Sequence, residues 1–176
     1  PRLITHVAPA VAKAAMNSGV ALNPITDWDK YEEELLERLG SDNKMVRLLT
    51  NRAKTDPKRV VFAEADHLDV LKAAQIAYEE GIARPILLGN KELILELKEE
   101  LGFDADVPIF DPKTKEEDER RMQYADTYWK SRQRRGISLL DAQKWMRERN
   151  YFAAMMVNEG DADAMVSGYS RSYPST

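Results

Sequence analysis

The chain has 176 residues, of which 43% are apolar and 32% charged, and it carries a formal net charge of −4. This composition is typical of a soluble globular protein and excludes a disordered one. The negative charge argues against nucleic acid as a partner, because binding to phosphates needs a basic surface. No apolar run reaches the roughly twenty residues that cross a bilayer, and cysteine is absent. We therefore expect a cytoplasmic protein with no membrane partner, no disulfide and no thiolate metal site.

Three helices are predicted in the first 57 residues. Pro9 suits the first position of a short helix, and Gly19 suits the residue after its end. Thr26 or Asp27 caps a second helix that stops at Gly40, and a third follows up to residue 57. The apolar stripes of the second and third helices contain Trp28, Tyr31, Leu35 and Leu39, and Met45, Leu48 and Leu49. We interpret residues 26–57 as a helical connector.

Strands and helices alternate from residue 58. Short apolar runs at residues 59–63, 84–89 and 107–110 predict strands, and the proline in the third places it at a sheet edge. Asp66 and Asn90 are predicted to cap the helices between them, with Val70, Leu71, Ala74, Ala77 and Tyr78 facing inward on the first. This alternation indicates a three-layer α/β/α domain with a mainly parallel sheet.

Two further helices are predicted before residue 150. The first covers residues 114–135, with Met122, Ala125, Tyr128 and Trp129 as its apolar side. Ser138 caps the second, with Asp141 three positions on, and Asn150 ends it; its core side contains Leu139, Leu140, Ala142, Trp145 and Met146. A basic cluster, Arg132, Arg134 and Arg135, suits a nucleotide phosphate, and equally the C-terminus of a helix, which favours cations.

The last stretch carries the candidate site. An apolar run at residues 151–157 leads through a turn to a predicted buried strand at residues 162–166 and then to a polar loop. In open α/β sheets, ligands bind outside the carboxyl ends of strands. The candidate ligand-binding residues are therefore Ser167, Gly168, Ser170, Arg171, Ser172 and Tyr173, with Ser175 beyond them. Gly168 permits positive φ. An ordinary turn remains the alternative.

Gly160 and Asp163 are predicted to support the turn that precedes this strand. Asp161 and Asp163 are expected to hydrogen-bond that turn, so no metal site is predicted. The chain contains no G-x-G-x-x-G or P-loop motif. With two histidines and no cysteine, it offers no nucleophile, base and orienting residue in combination. We predict no catalytic residue.

Two segments resemble phosphotransacetylases. The run from Gly160 to Gly168 fits that family's motif at Gly160, Ala162, Asp163, Ala164, Met165, Val166, Ser167 and Gly168. Residues 59–90 resemble the family's opening strand, helix and second strand, and Glu64 stands where the family usually has a glutamate. The family often has proline and glycine around that glutamate, whereas here alanine stands on both sides. The resemblance implies that residues 58–176 form the N-terminal part of a phosphotransacetylase-like domain.

Residues 1–21 resemble the last helix of the malic enzyme catalytic domain. The order of the two resemblances is that of the long bacterial NADP-dependent malic enzymes, with residues 1–25 as the end of the catalytic domain. Such a parent uses NADP and a divalent cation, Mg or Mn, to convert malate to pyruvate, whereas this piece holds no cofactor. The resemblance implies a regulatory part that binds acetyl-CoA or a related acyl-CoA as effector within a homo-oligomer. Because both ends look cut, we expect a piece of a longer protein.

The loop after the last strand departs from working phosphotransacetylases. They follow serine and glycine with alanine, a further residue, and then histidine, serine and threonine. This chain has Tyr169 and Tyr173, which are bulky, and Arg171, a fixed cation. These departures favour regulation over acetyl transfer. An active phosphate acetyltransferase domain and a ligand-free oligomerisation module remain the alternatives.

Overall fold

The computed structural model of the protein describes residues 2–38 and 42–170. The chain divides into two compact units, Pro1–Arg52 and Ala53–Thr176. Three helices cover the start of the chain: α1 (Arg2–Asn17), α2 (Trp28–Glu37) and α3 (Asp42–Thr55), whose last residues belong to the second unit. Within the described residues, no helix has the length and apolar character that crossing a membrane requires.

The first unit corrects one predicted helix start and confirms another. Pro9 lies inside α1 rather than at its first position; the helix continues past it without the N–H that would bond the carbonyl four residues earlier. Asp27 caps α2, where its Oδ1 accepts a hydrogen bond from the Lys30 N–H at 3.0 Å. Leu35 is buried. Leu39 and Gly40, predicted to end α2, lie outside the described residues.

The second unit alternates strands and helices as predicted. In chain order it contains β1 (Lys58–Phe62), α4 (Leu68–Glu79), β2 (Ala83–Leu88), α5 (Lys91–Leu101), β3 (Ile109–Phe110), α6 (Asp118–Arg132), α7 (Leu139–Trp145), α8 (Arg149–Asn158) and β4 (Ala164–Val166). Short 3₁₀ turns flank α6 on both sides. The predicted run of helix over residues 114–135 is therefore one α-helix with a tighter turn at each end.

The four strands form one parallel sheet in the order β3-β2-β1-β4. Val61 pairs with Ile86 of β2 on one side and with Met165 of β4 on the other. β3 lies at an edge of the described sheet, as Pro108 just before it predicts. The prediction that residues 162–166 form a buried strand is wrong in part, because β4 is the other edge of the described sheet and Val166 is 54% exposed.

Side chains of the central strands alternate between two cores. Val61 and Ile86 face a core built with α6, α7 and α8, which includes Tyr124 and Phe152. Phe62 and Leu87 face the opposite core with α4 and α5, which includes Leu71, Ala74, Ile94 and Phe103. The sheet therefore lies between two layers of helix, and the predicted α/β/α architecture is confirmed.

Several predicted core positions are exposed. Met122 is 63% exposed because Tyr124 and Ala125 form the buried side of α6 instead. Leu140 is likewise 77% exposed, while Ala142 and Met146 of the same stretch are fully buried. Tyr78 and Leu139 are exposed as well. Apolar spacing identified these helices but assigned part of each face wrongly.

Two predicted helix boundaries also differ. The break expected at Asn150 comes earlier, between α7 and α8, and Asn150 lies inside α8. Asp66 does not cap α4; the N-cap position is His67, with no hydrogen bond from its side chain. Asp66 is engaged by an arginine of α8 instead. By contrast, Asn90 caps α5 and Ser138 forms a capping box with Asp141, as predicted.

Candidate functional site

The direction of the chain across the sheet reverses beside β1. β2 and β3 extend from one side of β1, and β4 lies on its other side. Crevices at the carboxyl ends of strands at such a reversal are the usual ligand sites of open α/β sheets. The loops that meet here follow β1, at residues 63–67, and β4, at residues 167–170.

A single carboxylate joins these two loops. Glu64 is 3% exposed. Its Oε2 accepts hydrogen bonds from the N–H groups of Gly168 at 3.1 Å and Tyr169 at 2.6 Å, and its Oε1 accepts one from the Ser170 N–H at 3.2 Å. The Ser170 hydroxyl also donates to Glu64. Three successive backbone N–H groups thus enclose an anion that the chain itself supplies.

These hydrogen bonds decide the charge of Glu64. Burial raises the pKa of the Glu64 carboxyl, but the hydrogen bonds from Ser170, Tyr169 and Gly168 together outweigh it, so the pKa lies below its ordinary value. Glu64 is therefore ionised at neutral pH and acts as a hydrogen-bond acceptor only.

Side chains from two helices hold the rest of the loop. The Ser167 hydroxyl donates to Asn150 Oδ1 at 2.6 Å, which ties the loop to α8. The Tyr169 hydroxyl donates to Asp69 Oδ2 at 2.6 Å on α4, and this bond raises the pKa of Tyr169. The Tyr169 ring lies 5.4 Å from the His67 ring, centroid to centroid. Hydrogen bonds thus hold the loop at each of residues 167–170.

A polar cavity lies beside Asp66, in the loop after β1, and its main feature was not predicted from the sequence. The Arg149 guanidinium donates two parallel hydrogen bonds to Asp66, from Nη1 to Oδ1 at 2.7 Å and from Nη2 to Oδ2 at 2.9 Å. This pair borders a cavity of about 290 Å³, which also contains Lys113 and Arg147. Its other charged residues are Asp111 and Glu148, so three cations meet three carboxylates. The only sequence signal for Arg149 was its place near Asn150, where a helix break was expected.

Gly89 lets the loop after β1 approach the end of β2. A Cβ at this position would lie 3.1 Å from Asp66 Cγ, and the glycine has a φ of 157°. Both features disfavour a side chain at this position. Because residue 89 is glycine, Asp66 has the room it needs to bind Arg149.

The predicted site residues separate into two groups at opposite ends of β4. Ser167, Gly168 and Ser170 follow its carboxyl end, and Gly168 has a φ of 105°, in the region that the pattern predicts for glycine. Gly160 and Asp163 precede its amino end. Arg171, Ser172 and Tyr173, together with Ser175, lie outside the described residues.

At the amino end of β4, Arg59 of β1 holds the turn together. Its guanidinium donates to Asp163 Oδ1 at 2.9 Å and to the carbonyls of Gly160 at 2.9 Å and Asp161 at 3.0 Å. The hydrogen bonds from Arg59 lower the pKa of Asp163 to about 2. Asp161 accepts a hydrogen bond from the Tyr124 hydroxyl. The carboxylates of Asp161 and Asp163 thus bind groups of α6 and β1 and not the backbone of their own turn, which differs from the prediction. No cluster of three or more metal-binding side chains occurs in the part of the chain described.

The parallel sheet between two helical layers, with a hydrogen-bonded loop at its reversal point, defines an open-sheet α/β protein, a class whose ligands bind outside the carboxyl ends of the strands. A family model described as phosphate acetyl/butaryl transferase matches residues 44–176. The chain belongs to this family.

The known proteins to which this chain is similar are longer than the chain itself. It is 40% identical over 170 residues to the NADP-dependent malic enzyme of Salmonella typhimurium, an alignment that covers 96% of this chain and 22% of that protein. It is 36% identical over 124 residues to the phosphate acetyltransferase of Thermoanaerobacterium thermosaccharolyticum, which covers 70% of this chain and 37% of the relative. The chain thus spans less than a quarter of the length of the malic enzyme and little more than a third of the acetyltransferase.

A solved structure supports the same assignment. The crystal structure of a phosphotransacetylase from Streptococcus pyogenes superposes with a TM-score of 0.64 and 32% sequence identity, covering 76% of this chain and 40% of that one. The predicted resemblances to phosphotransacetylases and to long NADP-dependent malic enzymes are both confirmed.

Proposed function

We propose that this chain is the regulatory, acetyl-CoA-sensing part of an NADP-dependent malic enzyme. The observation that carries the proposal is the extent of similarity. The Salmonella typhimurium malic enzyme aligns with 96% of the chain, including most of the helical first unit, whereas the Thermoanaerobacterium thermosaccharolyticum acetyltransferase aligns with 70%. The parent converts malate to pyruvate with NADP and Mg or Mn, on residues outside this chain.

The geometry of the loop favours binding over acetyl transfer. The N–H groups of residues 168–170 are already bonded to Glu64, so they are not offered to a developing negative charge as an oxyanion hole requires. The Tyr169 hydroxyl is held by Asp69. A loop fixed in this way suits recognition of a ligand that docks against it.

We propose that the effector binds at the carboxyl edge of the sheet. Its phosphates would meet the cations of the 290 Å³ cavity, Lys113, Arg147 and Arg149, through charge-assisted hydrogen bonds. Tyr169, which is 58% exposed, borders the acyl end. Arg171, Ser172 and Tyr173 are proposed to continue this surface on sequence grounds.

The regulatory role also implies an assembly. We propose that residues 1–25 end the catalytic domain, that residues 26–57 form a connector, and that the parent is a cytoplasmic homo-oligomer. Light scattering on the full-length protein tests the assembly: a molar mass of a single subunit at micromolar concentration would contradict it.

The first experiment is calorimetric titration of acetyl-CoA into the full-length parent, with malic enzyme activity measured in parallel. We expect saturable binding and a changed rate. Arg147→Ala should weaken binding about tenfold, which corresponds to about 1.4 kcal/mol, because it removes one charge-assisted contact. Lys72→Ala, at an exposed lysine of α4, is the matched control and should leave affinity unchanged.

Two results would replace this proposal. Formation of acetyl-CoA from acetyl phosphate at an ordinary turnover would identify a working phosphate acetyltransferase. Absence of binding at millimolar acetyl-CoA would identify an oligomerisation module. If acetyl-CoA does bind and regulate, malate and NADP must change its affinity by the same factor by which it changes theirs, because coupling between binding sites is reciprocal.

A further inference from the structure

A larger cavity lies near the amino ends of the strands, whereas the candidate effector site lies at their carboxyl ends. Its volume is about 560 Å³, within the range that holds small organic ligands. Arg59 and Arg84, which contribute to its lining, stand near the amino ends of β1 and β2, whereas residues 167–170 follow the carboxyl end of β4. The cavity therefore belongs to neither the loop nor the Arg149 cavity.

The wall of this cavity is apolar. Ile86, Val107 and Met156 line it and are 6%, 7% and 1% exposed. Pro85 and Phe110 complete the apolar part. Core side chains thus form one side of an open cavity, which favours a ligand with an apolar body.

Arg84, one of the cationic side chains that line the cavity, has no carboxylate partner among the described residues. Arg59 and Arg84 are register partners on neighbouring strands, and side chains of such partners project to the same face. Arg59 is neutralised by Asp163 at 2.9 Å. Among the described residues, no carboxylate lies within 4 Å of the Arg84 guanidinium. The Arg84 guanidinium is therefore available for charge-assisted hydrogen bonds to an anion in the cavity.

A second cation of the cavity, Arg120, packs on an aromatic ring. The Arg120 guanidinium carbon lies 4.5 Å from the centroid of the Phe110 ring, and its acidic neighbour Glu117 is 3.6 Å away, beyond hydrogen-bonding range. A guanidinium in contact with an aromatic ring still has N–H groups to donate to an anion. The acids that line the cavity are Asp106, which is exposed, and Asp161, which accepts the Tyr124 hydroxyl.

We propose that this cavity is a second small-molecule site, which takes an organic anion with a flat apolar body and one carboxylate, sulfonate or phosphate group. The body lies against Pro85, Ile86 and Val107, and the anion lies between Arg84 and Arg120. This site is independent of acetyl-CoA and of the loop at residues 167–170.

The test uses two fluorescent probes on the full-length protein. The first is 1-anilinonaphthalene-8-sulfonate, and the second is N-phenyl-1-naphthylamine, which is the same molecule without the sulfonate. We expect Arg84→Glu/Arg120→Glu to lose one sulfonate-binding site per subunit, or to weaken it at least tenfold. The neutral probe should bind wild type and variant alike, which also shows that the cavity still folds.

Lys72→Glu/Lys144→Glu, at exposed lysines of α4 and α7 outside the cavity, is the charge-matched control and should retain the sulfonate site. Equal stoichiometry and affinity for the sulfonate in wild type and double variant would overturn the proposal. So would the absence of any saturable sulfonate binding, or an equal loss in the Lys72→Glu/Lys144→Glu control.

Discussion

Glu64 is the residue on which the loop at residues 167–170 depends. Replacing it with glutamine removes one of the two acceptor oxygens and turns an amide NH₂ towards backbone donors. Each buried donor left without a partner costs about 1–3 kcal/mol. We expect Glu64→Gln to speed hydrogen exchange of the residue 168–170 amides at least tenfold in the full-length protein, measured by mass spectrometry.

Glu96→Gln, at an exposed glutamate of α5, serves as the control and should leave those amides unchanged. Equal protection of residues 168–170 in wild type and Glu64→Gln would contradict the role of the carboxylate.

The same carboxylate predicts a pH dependence. Hydrogen bonds hold the pKa of Glu64 below its ordinary value of 4.5 in the folded state. The loop is therefore fully stabilised above the pKa of the unfolded chain, and this contribution is lost as pH falls through the lower folded value. We expect constant protection factors at residues 168–170 from pH 7 to about pH 5 and a decline only below about 4.5. In Glu64→Gln this decline should disappear; a decline of the same size there would assign it to another group.

At the scale of single elements, Asn90 shows what a cap contributes. Its side chain accepts a hydrogen bond from the Leu93 N–H at 3.1 Å. Asn90→Ala should cost about 1 kcal/mol and reduce protection of the first amides of α5 about fivefold in hydrogen exchange. Asn90→Asp keeps an acceptor and adds a favourable charge at the helix N-terminus, so it should match wild type or exceed it. If both variants lost protection, the cause would be a change in the adjoining cavity and not the loss of the cap.

The helix ends also show which features the sequence could predict. The caps at Asn90 and Ser138 were predicted because each bonds a backbone N–H three residues on, so the whole interaction lies within one short pattern. Asp66 carries the same signal, yet its partner Arg149 is 83 positions away. Arg149 competes with the N-terminus of α4 for the Asp66 carboxylate, and a pattern of neighbouring residues cannot show this. The prediction that Asp66 caps α4 is therefore wrong.

The site divides in the same way. The alternation of strands and helices fixed the carboxyl edge as the place for Ser167, Gly168 and Ser170. That the amides of this loop enclose Glu64 depends on pairing between β1 and β4, which spacing alone does not specify. Met122 and Leu140 were misplaced for a related reason: apolar spacing identifies a helix but leaves its exact buried face to the neighbouring elements.

At the scale of the whole second unit, the pair of Asp66 and Arg149 joins the loop after β1 to α8. The Asp66 and Arg149 side chains are 11% and 25% exposed. Arg149→Met would leave a carboxylate mostly buried without its partner, at a cost of about 2 kcal/mol, the lower end for such pairs because Arg149 still meets solvent. A double-mutant cycle with Asp66→Asn, with hydrogen exchange of the β1 amides measured in the full-length protein, should give a coupling above 1 kcal/mol.

The matched control is the pair of Asp126 and Lys130 on α6, whose side chains are 46% and 64% exposed. Its coupling in the same kind of cycle should stay below about 0.5 kcal/mol. Equal couplings for the two pairs would show that Arg149 contributes no more than a surface charge.

The strand order also determines when this unit can complete its fold. β1 is central in the sheet, but one of its two neighbours is β4, and Arg59 and Asp163 are 104 residues apart. At a synthesis rate of about 5–20 residues per second, β4 is synthesised roughly 5–20 s after β1. During this interval one edge of an apolar strand has no partner, a state that favours pairing with other chains. A nascent chain halted before residue 164 should therefore aggregate and be cleaved more readily than one halted after β4 has emerged.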